Sequence, residues 1–217
     1  EPSEVGSYWH YVDGVPTLWF EFVPSEGLEI TDGMITGIGT CTDTVLILDM
    51  PVADNAFEGN TTITGVVFGD GVTSIGDSAF YYCSGLTGEL IIPDSVTSIG
   101  GSAFYNCTGL TSITIGSGVT KMDGAAFARC SSLAEISVSE GNYVYHSTGN
   151  CIIETATNTL ILGCKNSMIP DGIAHIGDSA FFDCSGLTSV TIPDSVTSIG
   201  DYAFYGCSGL NAVYITN

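Results

Sequence analysis

Three histidines, eight cysteines and many serines are the residues of this 217-residue chain able to serve as bases, metal ligands or nucleophiles. A hydrolytic serine needs a base in reach, and one raised on a strand-to-helix elbow reads Gly-x-Ser-x-Gly. No such sequence occurs, and His10, His146 and His175 have no carboxylate or cysteine partner at a motif spacing. Zinc would need cysteine or histidine pairs at ligand spacing, and there is no Cys-x-x-Cys. Asp94, Asp171 and Asp194 recur at one turn position, where aspartate bonds its own backbone. The Gly-Gly-x-Gly-x-Asp signature that would collect calcium is missing. The expectation is a non-enzymatic chain with no metal and no cofactor.

The charge narrows the partners. Twenty-four acidic residues face three basic ones, Lys121, Arg129 and Lys165, for a net charge of −21. Such a field repels phosphate, so neither nucleic acid nor an anionic bilayer is an expected partner. No apolar run approaches the roughly 20 residues that span a membrane. With 44% hydrophobic residues the chain folds around a core rather than behaving as an acidic disordered segment. It opens Glu-Pro-Ser without an initiator methionine, which is expected of a secreted or surface chain whose export signal has been removed. It stops inside a repeat at Ile215-Thr-Asn217, as if the native protein continued or this strand were capped unusually.

The elements that must position any site are announced by repetition. Phenylalanines fall at Phe57, Phe80, Phe104, Phe127, Phe181 and Phe204, separated by 23, 24, 23, 54 and 23 residues. The segments Val72–Phe80, Val96–Phe104 and Val196–Phe204 are nearly identical. A period of this length marks a solenoid, whose units cannot bury an apolar face alone. Strand-like segments start at Val66, Leu90, Ile113, Ile136, Ser167, Val190 and Val213, in steps of 24, 23, 23, 31, 23 and 23. One turn is therefore eight residues longer than its 23-residue neighbours and has lost its Ala-Phe signature.

In the unit from Leu187 to Gly209, Val190 and Ile192 alternate with Ser189 and Thr191, the period of a half-buried strand. Pro193-Asp-Ser195 ends it, Val196 and Ile199 bracket a second extended piece, and Asp201 is placed to cap a short helical turn over Tyr202–Phe204. Stacked copies put Val66, Leu90, Ile113, Ile136, Val190 and Val213 in one inward column. Phe68, Ile92, Ile115, Val138, Ile169, Ile192 and Ile215 form a second, and the phenylalanines a third. Cys83, Cys107, Cys130, Cys184 and Cys207 each follow a phenylalanine by three residues, where Asn60 follows Phe57. That position calls for small buried groups, and reduced thiols are expected there. Cys41, Cys151 and Cys164 lie outside this series, and a Cys151–Cys164 bridge closing a hairpin and two free thiols both remain open.

The unit Leu-x-x-Ile-x-Ile-Pro-x-x-Val-x-x-Ile-Gly-x-x-Ala-Phe-x-x-Cys-x-x-Leu resembles the BspA-type bacterial leucine-rich repeat, close to the repeat of treponemal surface proteins. The likeness runs plainly from Asn55 to Asn217 and extends to Ile38 through the degenerate Val45-Leu-Ile-Leu-Asp-Met-Pro51. It implies a right-handed leucine-rich repeat solenoid, with parallel strands on a concave face and short extended, 3-10 or helical turns on the convex face. It further implies a secreted or cell-surface protein of a host-associated microbe, acting in adhesion or host-protein binding, with no catalytic residues to transfer. The departures are the long turn, the phenylalanine missing from it, and Glu89, which lengthens one repeat by a residue. Residues 1–37 differ in texture, with Tyr8, Trp9, Tyr11, Trp19, Phe20 and Phe22 concentrated there, and are expected to form an aromatic N-terminal cap, β in character. Residues 38–217 then form the solenoid, with the enlarged turn at about 139–166.

Two surfaces are open to a partner. Outward strand positions form the natural contact face of a solenoid, and Glu89, Glu135 and Tyr214 are its most specific side chains amid small hydroxyl residues that also suit plain solvated strands. In the enlarged turn, Asn142–Ser147, Cys151–Thr155 and Thr159–Leu162 read as a small meander, with Tyr143, Tyr145 and His146 its most ligand-like residues. The leading expectation is a protein-binding surface module, with a host or microbial surface protein as partner. A structural spacer is the second reading. The third is a glycan-binding module using Trp9 and Trp19 or Tyr143 and Tyr145.

Overall fold

The computed structural model describes residues 9–12, 15–18 and 23–216. Strands β1 (Trp9–Val12) and β2 (Val15–Leu18) pair antiparallel, as do β3 (Glu29–Thr31) and β4 (Met34–Gly37). The coils then alternate a long strand with a short one: β5 (Val45–Leu48), β6 (Gly65–Phe68), β7 (Ser74–Ile75), β8 (Thr87–Ile92), β9 (Ser98–Ile99), β10 (Gly109–Ile115), β11 (Lys121–Met122) and β12 (Glu135–Val138). The enlarged turn supplies β13 (Tyr145–Thr148), β14 (Cys151–Glu154) and β15 (Thr159–Gly163). Regular coils resume with β16 (His175–Ile176), β17 (Ser189–Ile192), β18 (Ser198–Ile199) and β19 (Ala212–Ile215). The result is a β-solenoid of about seven turns.

Long strands pair in parallel: β5 with β6, β8 with β10 through a bulge between Leu110 and Ser112, β10 with β12, and β17 with β19. Short strands form a second ladder, β7–β9–β11, which Val52 joins to Ile35 of β4. Between the ladders run the phenylalanine turns. Phe57, Phe80, Phe104 and Phe127 stack with ring centroids 5.0, 5.1 and 5.1 Å apart, and Phe181 lies 5.0 Å from Phe204. Such stacked rings add about 0.5–1.5 kcal/mol per pair beyond their burial.

The phenylalanine turns are not helical, contrary to the capped helical turn expected at Tyr202–Phe204; the described residues contain no helix. Ser78 and Tyr82 have φ of 54° and 58°, and the same two positions are left-handed at Ser102 and Asn106 and at Ser179 and Asp183; Tyr202 has φ 57°. Left-handed residues thus recur four positions apart, and the amides between them alternate in their targets. Ser78, Phe80 and Tyr82 donate to Gly101, Ala103 and Tyr105 of the next coil, while Ala79, Tyr81 and Cys83 donate to residues three back. Each of these backbone donors finds a partner, half of them across coils, where a helix would offer none.

Aspartates do the same work between coils. Asp94 Oδ1 accepts from the Ser117 amide at 2.6 Å, Asp77 Oδ1 from Gly101 and Asp178 Oδ1 from Asp201. The expectation that Asp94 serves its own backbone is corrected: at a spacing of one coil, the next turn's amide is the nearer orphan. The strand expected at Ser167 is also absent. Ser167 fills the place of an inward aliphatic residue, and its hydroxyl accepts from the Cys164 amide at 2.8 Å and donates to the Asn150 carbonyl at 2.5 Å. The column residues Val213 and Ile215 are exposed, since β17 alone flanks β19 among the described residues.

The enlarged turn is long on one side and short on the other. Strands β13, β14 and β15 form the antiparallel meander, and β15 runs parallel to β16. Its Gly163 amide donates to the Ala180 carbonyl at 2.8 Å, the bond Phe57, Phe80, Phe104 and Phe181 make to the alanine of the following coil. Gly163 therefore stands in the phenylalanine position. A side chain there would run into the Phe181 ring, which explains both the lost Ala-Phe signature and the glycine. The chain passes directly to Cys164 and omits the protruding turn, so the turns of Phe127 and Phe181 become neighbours and the Arg129 amide reaches the Phe182 carbonyl at 3.5 Å.

Candidate functional site

The long-strand face carries two outward rows. One runs Val45 and Gly65 on the β5–β6 sheet, then Glu89, Ser112 and Glu135 on the adjoining β8–β10–β12 sheet; the other runs Ile47 and Val67, then Ile91, Thr114 and Ser137. The face changes character along its length. Thr114 and Ser137 join hydroxyls at 2.9 Å, a self-satisfied polar end. At the other end Val45, Val67 and Ile91 are 49%, 46% and 55% exposed, with the exposed carboxylate of Glu89 beside them. Exposed Glu135 lies two strands from Glu89, across Ser112, while Tyr214 stands apart on β19 beside Thr191. The expectation of small hydroxyl residues on this face fails at this end, where β5 pairs in register with β6 and adds Val45 and Ile47 to Val67 and Ile91.

The enlarged turn does not gather its three singled-out residues. Tyr143 is 78% exposed, and His146 projects to solvent with Nδ1 3.0 Å from Thr155 Oγ1. Tyr145 is buried at 5%, and burial pushes its phenol above the ordinary range although it bonds the Met122 backbone. Strand β14 is buried on both faces, Ile152 packing with the N-terminal core and Cys151 and Ile153 with the C-terminal one. The meander thus wedges two cores together. Trp19 and the side chain of Trp9 lie outside the described residues.

A third surface escaped the sequence reading. Tyr81 stacks on Tyr105 at 4.9 Å, Tyr82 leans on both at 4.7 and 5.9 Å, and the Arg129 guanidinium lies 5.9 Å from the Tyr105 centroid. Arg129 Nε also pairs with Asp183 Oδ2 at 3.1 Å, a contact made only because the enlarged turn omits its own protrusion. Tyr105 and Asp183 together raise the guanidinium pKa above its already high value. Two residues after each phenylalanine stand Gly59, Tyr82, Asn106, Arg129, Asp183 and Gly206, all with positive φ. Glycine, asparagine and aspartate tolerate that conformation, whereas tyrosine and arginine lose roughly 1–2 kcal/mol in it. Beside this row lies a polar cleft of about 250 Å³.

The profile of the BspA-type leucine-rich repeat region matches in six copies, over residues 51–164 and 162–217. The chain belongs to the BspA-type leucine-rich repeat family. Solved structures similar to this BspA-type chain include a leucine-rich repeat protein of Eubacterium ventriosum, with 22% identity and a TM-score of 0.56 over 75% of this chain and 57% of that one. The pneumococcal vaccine antigen PcpA shows 20% identity and a TM-score of 0.58 over 76% and 48%. A leucine-rich repeat protein of Bacteroides ovatus shows 23% identity and a TM-score of 0.50 over 78% and 47%. This chain thus spans about half the length of each. No curated protein sequence matches it significantly.

Five of the eight thiols of this BspA-type chain, Cys83, Cys107, Cys130, Cys151 and Cys164, are buried in its core. All eight cysteines are free thiols, Cys151 and Cys164 included. Cys83, Cys107 and Cys130 donate to the carbonyls of Phe57, Phe80 and Phe104 at 3.0–3.2 Å, where Asn60 instead accepts from the amides of Thr62 and Ile63. Burial pushes the thiols of Cys83, Cys130, Cys151 and Cys184 up to about 12 and that of Cys107 further, far from the thiolate that nucleophilic chemistry requires. Among the described residues no three histidine, cysteine or carboxylate side chains converge to hold a metal ion, and no helix is long and apolar enough to cross a membrane.

Proposed function

We propose that this chain is a non-enzymatic, extracellular protein-binding module that grips a host or microbial surface protein with the apolar end of its long-strand face. The observation that carries this reading is the patch of Val45, Val67 and Ile91, each about half exposed on neighbouring parallel ladders and bordered by Glu89. Contiguous apolar surface of this kind, rimmed by charge, marks interaction sites, and a plain spacer has no need of it. The parallel ladder fixes these side chains before contact, so little ordering entropy opposes binding. An ordinary contact of about 1,200–2,000 Å² would cover this end and reach Glu135.

The test is a binding screen of the chain against matrix and bacterial surface proteins by surface plasmon resonance, repeated with Ile91→Asp and Val67→Asp. Both side chains point to solvent, so the fold should persist while affinity drops at least about tenfold, the loss expected of a central contact. A captured partner indifferent to both substitutions would place the contact elsewhere and defeat the assignment.

A further inference from the structure

On the opposite side of the molecule from the phenylalanine stack's interior, the protruding turns carry a second site, independent of the long-strand face. The cleft beside Arg129 crosses four coils and is lined by two rows of equivalent positions. Asn106, Arg129 and Asp183 supply long polar groups, and Thr108, Ser131 and Ser185 supply hydroxyls. Gly206 closes the series: with φ of 73° and no side chain, it leaves the Asp183 carboxylate unobstructed.

We infer that this cleft binds the ring of an uncharged saccharide. Three observations select that chemistry. Arg129 and Asp183 neutralise each other at 3.1 Å, so the cleft carries no net charge and neither an anion nor a cation is favoured; the net charge of −21 further opposes anions. The lining holds guanidinium and amide donors, carboxylate and amide acceptors, and hydroxyls that do both, the mixture that vicinal ring hydroxyls require. At about 250 Å³ the space falls just below the roughly 300–1,000 Å³ of sites for drug-sized ligands, a size suited to one sugar ring.

The geometry is also pre-set. The Tyr105 ring, itself stacked on Tyr81, backs the guanidinium and fixes its plane. Arg129 is held at φ 62°, a conformation the same repeat position gives to glycine, asparagine or aspartate in every other coil but that of Tyr82. Strain retained at Arg129, where both flanking coils show the unstrained Asn106 and Asp183, points to a role for that side chain. A peptide is the weaker fit, since hot spots need an apolar recess and this one is polar.

Saturation-transfer NMR and calorimetry on the whole chain, with a panel of neutral methyl hexosides and N-acetylhexosaminides at about 1–10 mM, test the assignment. Binding of at least one glycoside is expected, with millimolar affinity. Asn106→Gly and Asp183→Asn remove the amide and the charge while tolerating the left-handed backbone, so folding is preserved, and each should weaken binding about tenfold or more. Ile91→Asp should leave glycoside binding unchanged, which separates this site from the protein-binding face. A silent panel, binding that survives both cleft substitutions, or a cleft that takes only peptides would each overturn the inference.

Discussion

At the residue scale, the cysteines show how one repeat position satisfies two demands. Each thiol is small enough for the crowded turn, and those of Cys83, Cys107, Cys130 and Cys207 still donate weakly to a phenylalanine carbonyl. Its folded pKa, raised by burial to about 12 at Cys83, Cys130, Cys151 and Cys184, exceeds the unfolded value of about 8.5. The protonated form is therefore favoured in the folded state, and the stability it contributes is fully present below pH of about 8.5. As pH rises toward 12 the unfolded chain loses these protons first, and stability falls by up to about 1.4 kcal/mol per pH unit for each such thiol. Thermal melts should hold steady from pH 7 to 8 and drop progressively above about 9, with Cys107→Ala softening the fall. A melting temperature level through pH 10.5 would contradict this assignment.

At the scale of the element, the enlarged turn is where the chain departs from its own rule. A repeat can lose its phenylalanine only if something else fills or closes the coil, and here the Phe181 ring lies against the backbone of Gly163. Gly163→Ala should force that ring out of its stack with Phe204 and destabilise by about 1–3 kcal/mol, as overpacking does. For a chain of this size, that lowers the melting temperature by about 2–4 °C per kcal/mol. Gly65→Ala is the control, because a methyl group there meets Val45 at an ordinary 3.5 Å. Equal melting temperatures for the two variants would remove the proposed reason for the glycine. The same element explains why the sequence reading found a meander but not its consequence: strand periodicity is local, whereas the ion pair of Arg129 with Asp183 depends on which coil is left without a protruding turn.

For the molecule as a whole, a net charge of −21 is confined to a narrow rod. The carboxylates of Asp49, Asp54, Asp77, Asp94 and Asp178 accept from the next coil's amides, yet the mutual repulsion of the acidic residues remains. Because the Debye length shrinks from about 30 Å at 0.01 M salt to about 8 Å at 0.15 M, sodium chloride over that range should raise the melting temperature. A melting temperature unchanged or lowered would show that repulsion is not a significant part of the stability. The two hydrophobic cores, joined through β14, place the mechanical continuity of the rod in the one coil that lacks the consensus.

The sequence by itself determined the coil, its period, the inward columns, the buried thiols and the family, because each of these follows from side-chain type at a fixed spacing and is repeated often enough to be read. Short-range patterns also disclosed the acidic character and the enlarged turn. The helical turn was misjudged because every second amide of the turn, those of its left-handed residues included, bonds to a neighbouring coil that no local signal reveals. Only the tertiary structure decided that Tyr145 is core while Tyr143 is surface, that Val45, Val67 and Ile91 share one apolar end, and that Tyr105, Arg129 and Asp183 meet. Those groupings run perpendicular to the chain, between residues 22 to 54 positions apart, and their neighbours are set by stacking rather than by sequence order.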